Sequence, residues 1–278
     1  MTSVVPAEPP AVLVDRRPSP NSVASFCRHA WAVASADLAK LRRDPTEMFT
    51  RAIQPLLWLL VFGEVFTRTR AIPTGNLSYM AFMAPGVLAQ SVLFAAIFYG
   101  IAVIWERDLG IVHKLLATPA SRSSLVMGKA IAAGVRGWVQ GIIVFAIAVV
   151  IGVQVRFDPL DVLGVCAAVF LGSALFATFS LVVACVVKTR ERFMGIGQVL
   201  TMPLFFASNA IYPITMMPPW LGAIARVNPL TYLVDALRTL MVAGATSATG
   251  VALDFGVMVA GIVVLVAIAA RLYPGLAR

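Results

Sequence analysis

Six long apolar stretches dominate the chain, at residues 48–66, 77–104, 129–153, 160–187, 193–212 and 251–272. Each is close to or above the ~20 residues that a helix needs to cross ~30 Å of hydrocarbon. A segment in lipid must satisfy its own backbone, and a helix does so within itself. The pattern therefore predicts an all-α membrane protein with six transmembrane helices. Composition agrees. Of 278 residues, 60% are hydrophobic and 13% charged, with mean hydropathy +0.89, whereas a soluble domain is about 45–50% apolar and about 25% charged. Stretches 77–104, 129–153 and 160–187 exceed the minimum span, so they tilt or protrude. Small residues in them, such as Gly134, Gly137, Gly172, Ala174 and Ala177, permit close helix–helix approach in lipid.

The formal net charge is +9. No Lys/Arg-rich block with interleaved aromatics occurs, which argues against nucleic acid as a partner. The basic residues instead sort between alternate connections. Fifteen lie before the first stretch, between the second and third, between the fourth and fifth, and after the sixth. Five (Arg68, Arg70, Arg156, Arg226 and Arg238) lie in the other connections. Basic residues favour the cytosolic side, so both termini are expected in the cytosol of a cell whose cytoplasmic membrane holds the chain. Arg51 and Arg136 fall near cytosolic helix ends, where they can snorkel.

Residues 1–21 are Pro-rich and polar. They read as a disordered cytosolic tail without the pattern of a signal peptide. Residues 22–44 differ: Phe26, Trp31, Val33, Leu38 and Leu41 mix with Arg28, His29, Asp37, Lys40 and Arg42. A helix here is amphipathic and suits the lipid headgroup plane, with a solvated juxtamembrane helix as the alternative. Asp44-Pro45 ends it, and Pro45 suits a new helix start.

The 105–128 connection, "WERDLGIVHKLLATPASRSSLVMG", opens with Glu106, Arg107 and Asp108, which are costly at bilayer depth. Leu109, Ile111, Val112, Leu115 and Leu116, interrupted by His113 and Lys114, make a short amphipathic helix. Thr118-Pro119 stops it. Such a helix suits docking into a groove on a partner, and equally suits a plain connection. Met127–Ala130 holds Gly-Lys, but the upstream glycine and following hydroxyl of a phosphate-binding loop are missing. His29 and His113, the only histidines, are far apart, and three cysteines form no motif. Metal and catalytic residues are therefore expected to be none. Glu47, Glu64, Asp161 and Asp254 sit at predicted helix ends. A cation-coupled carrier usually keeps ionisable sites near midplane, so uphill transport here needs energy from another chain.

The stretch 213–242, containing "PPWLGAIARVNPLTYLVDALRTL", does not read as a span. Pro218-Pro219 starts a helix that Asn228-Pro229 breaks, and a second short helix follows. Trp220 and Tyr232 suit a membrane interface. Asp235 and Arg238, three apart, share a face and are expected to pair. Neither piece can span, so a re-entrant or interfacial hairpin on the external side is expected, serving as an outer lid. An ordinary external loop is the alternative.

From about Pro45 to Leu272 this order of elements resembles the type-2 ABC exporter permeases, of type V exporter architecture. "ERDLGIVHKLLATPASRSSLVMGK" is similar to the family's coupling-loop stretch, and "PPWLGAIARVNPLTYLVDALR" to its C-terminal signature. The flavour is nearest the daunorubicin-resistance-like branch. The resemblance implies a transmembrane domain over 45–275 with an external re-entrant hairpin over 213–242. It assigns Glu106, Arg107, Asp108, His113, Lys114, Leu115 and Leu116 to ATPase coupling. It assigns Pro218, Pro219, Trp220, Asn228, Pro229, Tyr232, Asp235 and Arg238 to an external gate. It further implies a separate ABC ATPase in two copies, which binds ATP and Mg, and a second permease, either a copy or a paralogue. No cofactor is expected on this chain. The implied cargo is hydrophobic or amphipathic: a drug, polyketide or lipid. A polysaccharide or glycolipid exporter is the alternative, with Phe94, Phe98, Tyr99, Phe205 and Phe206 as the aromatic residues available to it. A membrane-embedded transferase would need clustered acids at one face, yet Asp158 and Asp161 are the only close acids expected on the external side, flanking Pro159. An assembly protein without transport is the remaining reading.

Overall fold

The computed structural model describes residues 23–41, 53–69, 72, 74, 75, 77–187 and 189–277. The expected tail, and residues 22 and 42–52, lie outside them. Helix α1 is Val23–Leu41. Helix α2 covers 53–69 and is π-wound over Trp58–Gly63. Next come α3 (Tyr79–Asp108), α4 (Ile111–Leu116), α5 (Arg122–Val150), α6 (Pro159–Val186) and α7 (Arg190–Phe206). The remainder is α8 (Pro219–Val227), α9 (Pro229–Met241) and α10 (Val251–Leu272), with a 3₁₀ turn at Tyr273–Ala277.

Local chemistry sets many of the starts. The side chains of Ser78, Ser121, Asp158, Thr189 and Asn228 each accept a bond from a first-turn amide of the helix that follows, satisfying donors that a helix leaves orphaned. Pro159 and Pro229 occupy first-turn positions, where no amide is needed.

Among the described residues, four helices are long and apolar enough to cross a membrane: α3, α5, α6 and α10 with its terminal turn. The chain is an all-α membrane protein. Burial ranks these helices. In α3, 72% of the spanning window is buried, against 22% in α10. Helix α6 packs against α3, α5, α9 and α10 and forms the middle of the bundle. Ile142, Val149, Leu160, Leu163, Val259 and Val263 face outward, as surfaces solvated by lipid do.

Several expected boundaries move. The connection at 105–128 shrinks to 109–121, because α3 runs on to Asp108 and α5 already starts at Arg122. Helix continues through Glu106 because cations neutralise it in place, as described below. The fifth stretch, expected at 193–212, is a helix of 17 residues ending at Phe206. Pro203 lies inside its last turn and withdraws one backbone donor. Helix α1 also differs from a simple amphipath. Ala30 and Ala34, not Trp31, face the bundle, and Trp31 is 62% exposed. The physical reason is close approach: a Cβ built on Gly128 of α5 would lie 2.5 Å from the Ala30 carbonyl oxygen, so only small side chains fit this contact.

Candidate functional site

Among the described residues, three places collect candidate functional side chains. The first lies where α1 crosses the C-terminal end of α3 and the N-terminal part of α5. Glu106, 6% exposed, has its oxygens 2.6 Å from Lys40 Nζ and 2.6 Å from Lys129 Nζ. Asp37 accepts from Lys40 at 2.9 Å and from the Tyr99 hydroxyl, and lies 3.6 Å from Lys129. Burial alone would raise the Asp37 carboxyl, but Lys129, Tyr99 and Lys40 together hold it below its usual range. Burial would lower Lys40, yet Glu106 and Asp37 raise it. Glu106, assigned by the resemblance to ATPase coupling, is turned inward, where it ties Lys40 to Lys129.

Below this cluster Gly110, with φ +71°, reverses the chain into α4, a backbone region that glycine enters cheaply. Val112 is fully buried, and Leu115 and Leu116 are half-buried against the chain's own core. Leu109 (67% exposed), Lys114 and His113 face outward, as does Trp105. Asp108 ties the loop to α7 through Arg190 at 2.6 Å and pairs with Arg107 at 2.8 Å. The Arg190 guanidinium also lies 3.7 Å over the Trp105 ring.

The second place is the proline-broken pair at the opposite end of α3. Asn228 joins it to the bundle. Its Oδ1 accepts from the Leu230 amide, and its Nδ2 donates to the Leu204 and Ala207 carbonyls at 2.7 and 2.8 Å. These carbonyls sit at the end of α7, where helical partners run out. The Tyr232 hydroxyl donates to the Arg226 carbonyl across the break. Pro218, Pro219 and Trp220 are exposed, and Pro229 is half-buried.

Asp235 and Arg238 are both buried but do not meet, contrary to the spacing argument. Arg238 donates to the Phe82 and Asn209 carbonyls at 3.2 and 2.6 Å and stacks 3.8 Å over the Phe82 ring. Burial lowers its guanidinium to about 10, with Asp235 opposing the shift. Asp235 accepts from the Ser247 hydroxyl, the Ala248 and Thr249 amides and the Thr249 hydroxyl. Each charge is thus held by a different part of the chain, because α3 and the 247–249 loop supply better-placed partners than one helical turn does. Both residues line a 420 Å³ cavity together with Thr74, Asn209 and Ala248.

Of the third place, the sequence singled out only the aromatic residues Phe94 and Phe98. A 400 Å³ cavity between α2 and α3 is lined by Gln54, Pro55, Gln90, Ser91, Phe94, Ala95 and Phe98. Phe94 and Phe98 stack with centroids 6.2 Å apart. Gln90 is 3% exposed, and neither of its amide atoms has a hydrogen-bond partner. Arg136, expected to snorkel, is half-buried instead, with its guanidinium 5.4 Å from the Tyr99 ring. A glutamine inside an apolar run was the available signal for this cavity. Among the described residues no group of three or more His, Cys, Asp or Glu could hold a metal.

A helical bundle with four membrane-crossing candidates among the described residues defines a multi-pass membrane protein. Residues 28–242 match the family described as "ABC-2 type transporter", and the chain belongs to that family. The putative transport permease ycf38 of Cyanophora paradoxa is 30% identical, over 79% of this chain and 77% of its own length. The daunorubicin resistance ABC transporter permease protein DrrB1 of Streptomyces coeruleorubidus is 23% identical, over 80% and 76%. The inner membrane transport permease YadH of Escherichia coli K12 is 26% identical, over 66% and 70%.

Proposed function

We propose that this chain is the membrane subunit of an ATP-driven exporter that moves a hydrophobic or amphipathic cargo out across the cytoplasmic membrane. A separate ATPase in two copies binds ATP and Mg and supplies the energy, and two permease chains form the path. In this reading α2 and α7 complete the four long helices to six spans, both termini are cytosolic, and the broken pair is an outer lid; the bias of basic residues between alternate connections supports it. The observation that carries this reading is the short α4, set beside the charge cluster that joins α1, α3 and α5, with Lys114 exposed on it and Leu109 exposed just before it. A lever of this kind needs a rigid tie to the spans and a free face for the motor.

The test is co-purification of an ATPase with the chain, followed by Leu109→Asp. Loss of an apolar anchor costs an interface about 2 kcal/mol, roughly thirtyfold in affinity. The variant should insert normally but lose ATPase association and cargo-stimulated turnover. Unchanged association and turnover reject the docking face. Cysteine labelling from outside at Thr74, and from inside at Ser121, tests the topology. A glycan exporter is the second reading, favoured by the stacked Phe94 and Phe98 on the cavity wall. In that case Phe98→Leu should abolish glycan export selectively.

A further inference from the structure

The cytosolic cluster balances its own charge: two carboxylates, Asp37 and Glu106, face two ammonium groups, Lys40 and Lys129. Arg136 is left over. It lies seven residues beyond Lys129 in α5, about 10 Å deeper along the helix axis, within a helix able to span. Its Nη2 donates to the Asp37 main-chain carbonyl at 3.3 Å, and its guanidinium lies over Tyr99. Both partners are neutral groups. Among the described residues no carboxylate forms an ion pair with it, and its Nε is buried without a hydrogen-bond partner. An uncompensated cation at membrane depth is costly and marks function by default.

Two further side chains line the same pocket. Gln140 is 1% exposed, with neither amide atom bonded, and Ser173 is 2% exposed, with a hydroxyl lacking a partner. The pocket, 140 Å³ in volume, lies between α3, α5 and α6. Gly137 maintains this space, since a Cβ there would lie 1.8 Å from Ser173 Oγ. Buried polar atoms are rarely left unsatisfied without a reason. Here a guanidinium N–H, an amide N–H₂ and a hydroxyl are all free to donate, and donors plus an unmatched positive charge select an anion. The pocket also shares Ala95 and Phe98 as walls with the 400 Å³ cavity lined by Phe94.

We propose that Arg136, Gln140 and Ser173 form the head-group site for an anionic amphiphile, whose single phosphate- or carboxylate-type head sits in this pocket and whose apolar body lies along Phe98 into the adjoining cavity. The inference rests on the exporter reading and narrows its cargo to anions. Depth favours an amphiphile over a free ion, because a soluble anion would have to leave water without an apolar body to compensate it.

The full chain in nanodiscs of zwitterionic lipid tests this with three probes. These are dodecyl phosphate, dodecyl maltoside as the neutral head on the same tail, and inorganic phosphate as the head alone. Dodecyl phosphate should bind about tenfold or more tighter than the maltoside. Arg136→Gln should bring the two within about twofold by weakening the phosphate alone. Gln140→Leu should weaken dodecyl phosphate severalfold, and it provides an independent reading should Arg136→Gln fail to fold. Inorganic phosphate competing as well as dodecyl phosphate would assign a free-anion site and overturn the amphiphile. Equal binding of charged and neutral probes, or a preference that survives both variants, would overturn the site itself. The assay contains no ATPase. Its failure therefore leaves the exporter reading intact, whereas intact binding without any ATPase partner overturns that reading and leaves the site.

Discussion

Glu106→Gln is the most revealing single change in the charge cluster. The carboxylate side chain is 8% exposed and holds two ammonium groups at 2.6 Å each. Glutamine offers one carbonyl oxygen and no charge. Lys129, with its side chain 3% exposed, would keep only Asp37 at 3.6 Å. Removing one partner of a buried pair costs about 3–5 kcal/mol. Lys40 is 53% exposed, so water replaces its lost contact and its share is about 1 kcal/mol or less. Because Asp37 still compensates Lys129 in part, the total falls near the low end, about 3 kcal/mol. For a chain of this size that corresponds to a Tm lower by roughly 6–12 °C. Thermal unfolding of the purified chain in detergent, followed by helical circular dichroism, measures it. Combining Glu106→Leu with Lys129→Met removes both members of the tightest contact and should recover most of the loss, since an apolar replacement of a buried pair is often neutral. A Glu106→Gln protein melting within about 2 °C of the parent, or a double variant whose loss equals the sum of its singles, would refute the account of the cluster as a buried tie.

Three other outcomes follow from the geometry. Asp235→Asn and Arg238→Gln should each destabilise the proline-broken pair by about 1–3 kcal/mol, and the exchange Asp235→Arg with Arg238→Asp should give no rescue; rescue in a thermal-unfolding cycle would show that they pair after all. Gly137→Ala should force α5 from α6 at Ser173 and lower stability, and Ser173→Gly in the same chain should restore it, as read by melting temperature. Stability should also fall at both pH extremes. Asp37 is depressed, so its contribution is present above its usual value of 3.8 and is lost as pH falls through its lower folded value. Lys40 is raised, so its contribution is complete below 10.5 and is lost as pH rises through its higher folded value. Melting temperatures across this range should form a plateau whose acid edge moves up in Asp37→Glu.

The sequence by itself determined what repeats or punctuates. Four of the apolar runs became long helices because length and hydropathy are local properties. Capping residues such as Ser78, Ser121 and Asp158 and the prolines at 159 and 229 placed helix starts, because each acts on its own first turn. The break at Asn228-Pro229 was legible for the same reason. Tertiary structure alone decided the partners. Three-residue spacing joined Asp235 to Arg238 on paper, yet the 247–249 loop and the Phe82 and Asn209 carbonyls claimed one each. The pairing of Glu106 was not legible because its counter-ions, Lys40 and Lys129, are 66 and 23 residues away. Arg136 read as a snorkelling end residue until α1 and Tyr99 covered it. Gln90, Gln140 and Ser173 were polar letters within apolar runs, and only the packing of α2, α3, α5 and α6 turned them toward cavities. Helix formation is settled within a few turns of chain, whereas the compensation of a buried charge depends on whichever distant segment the fold brings to it.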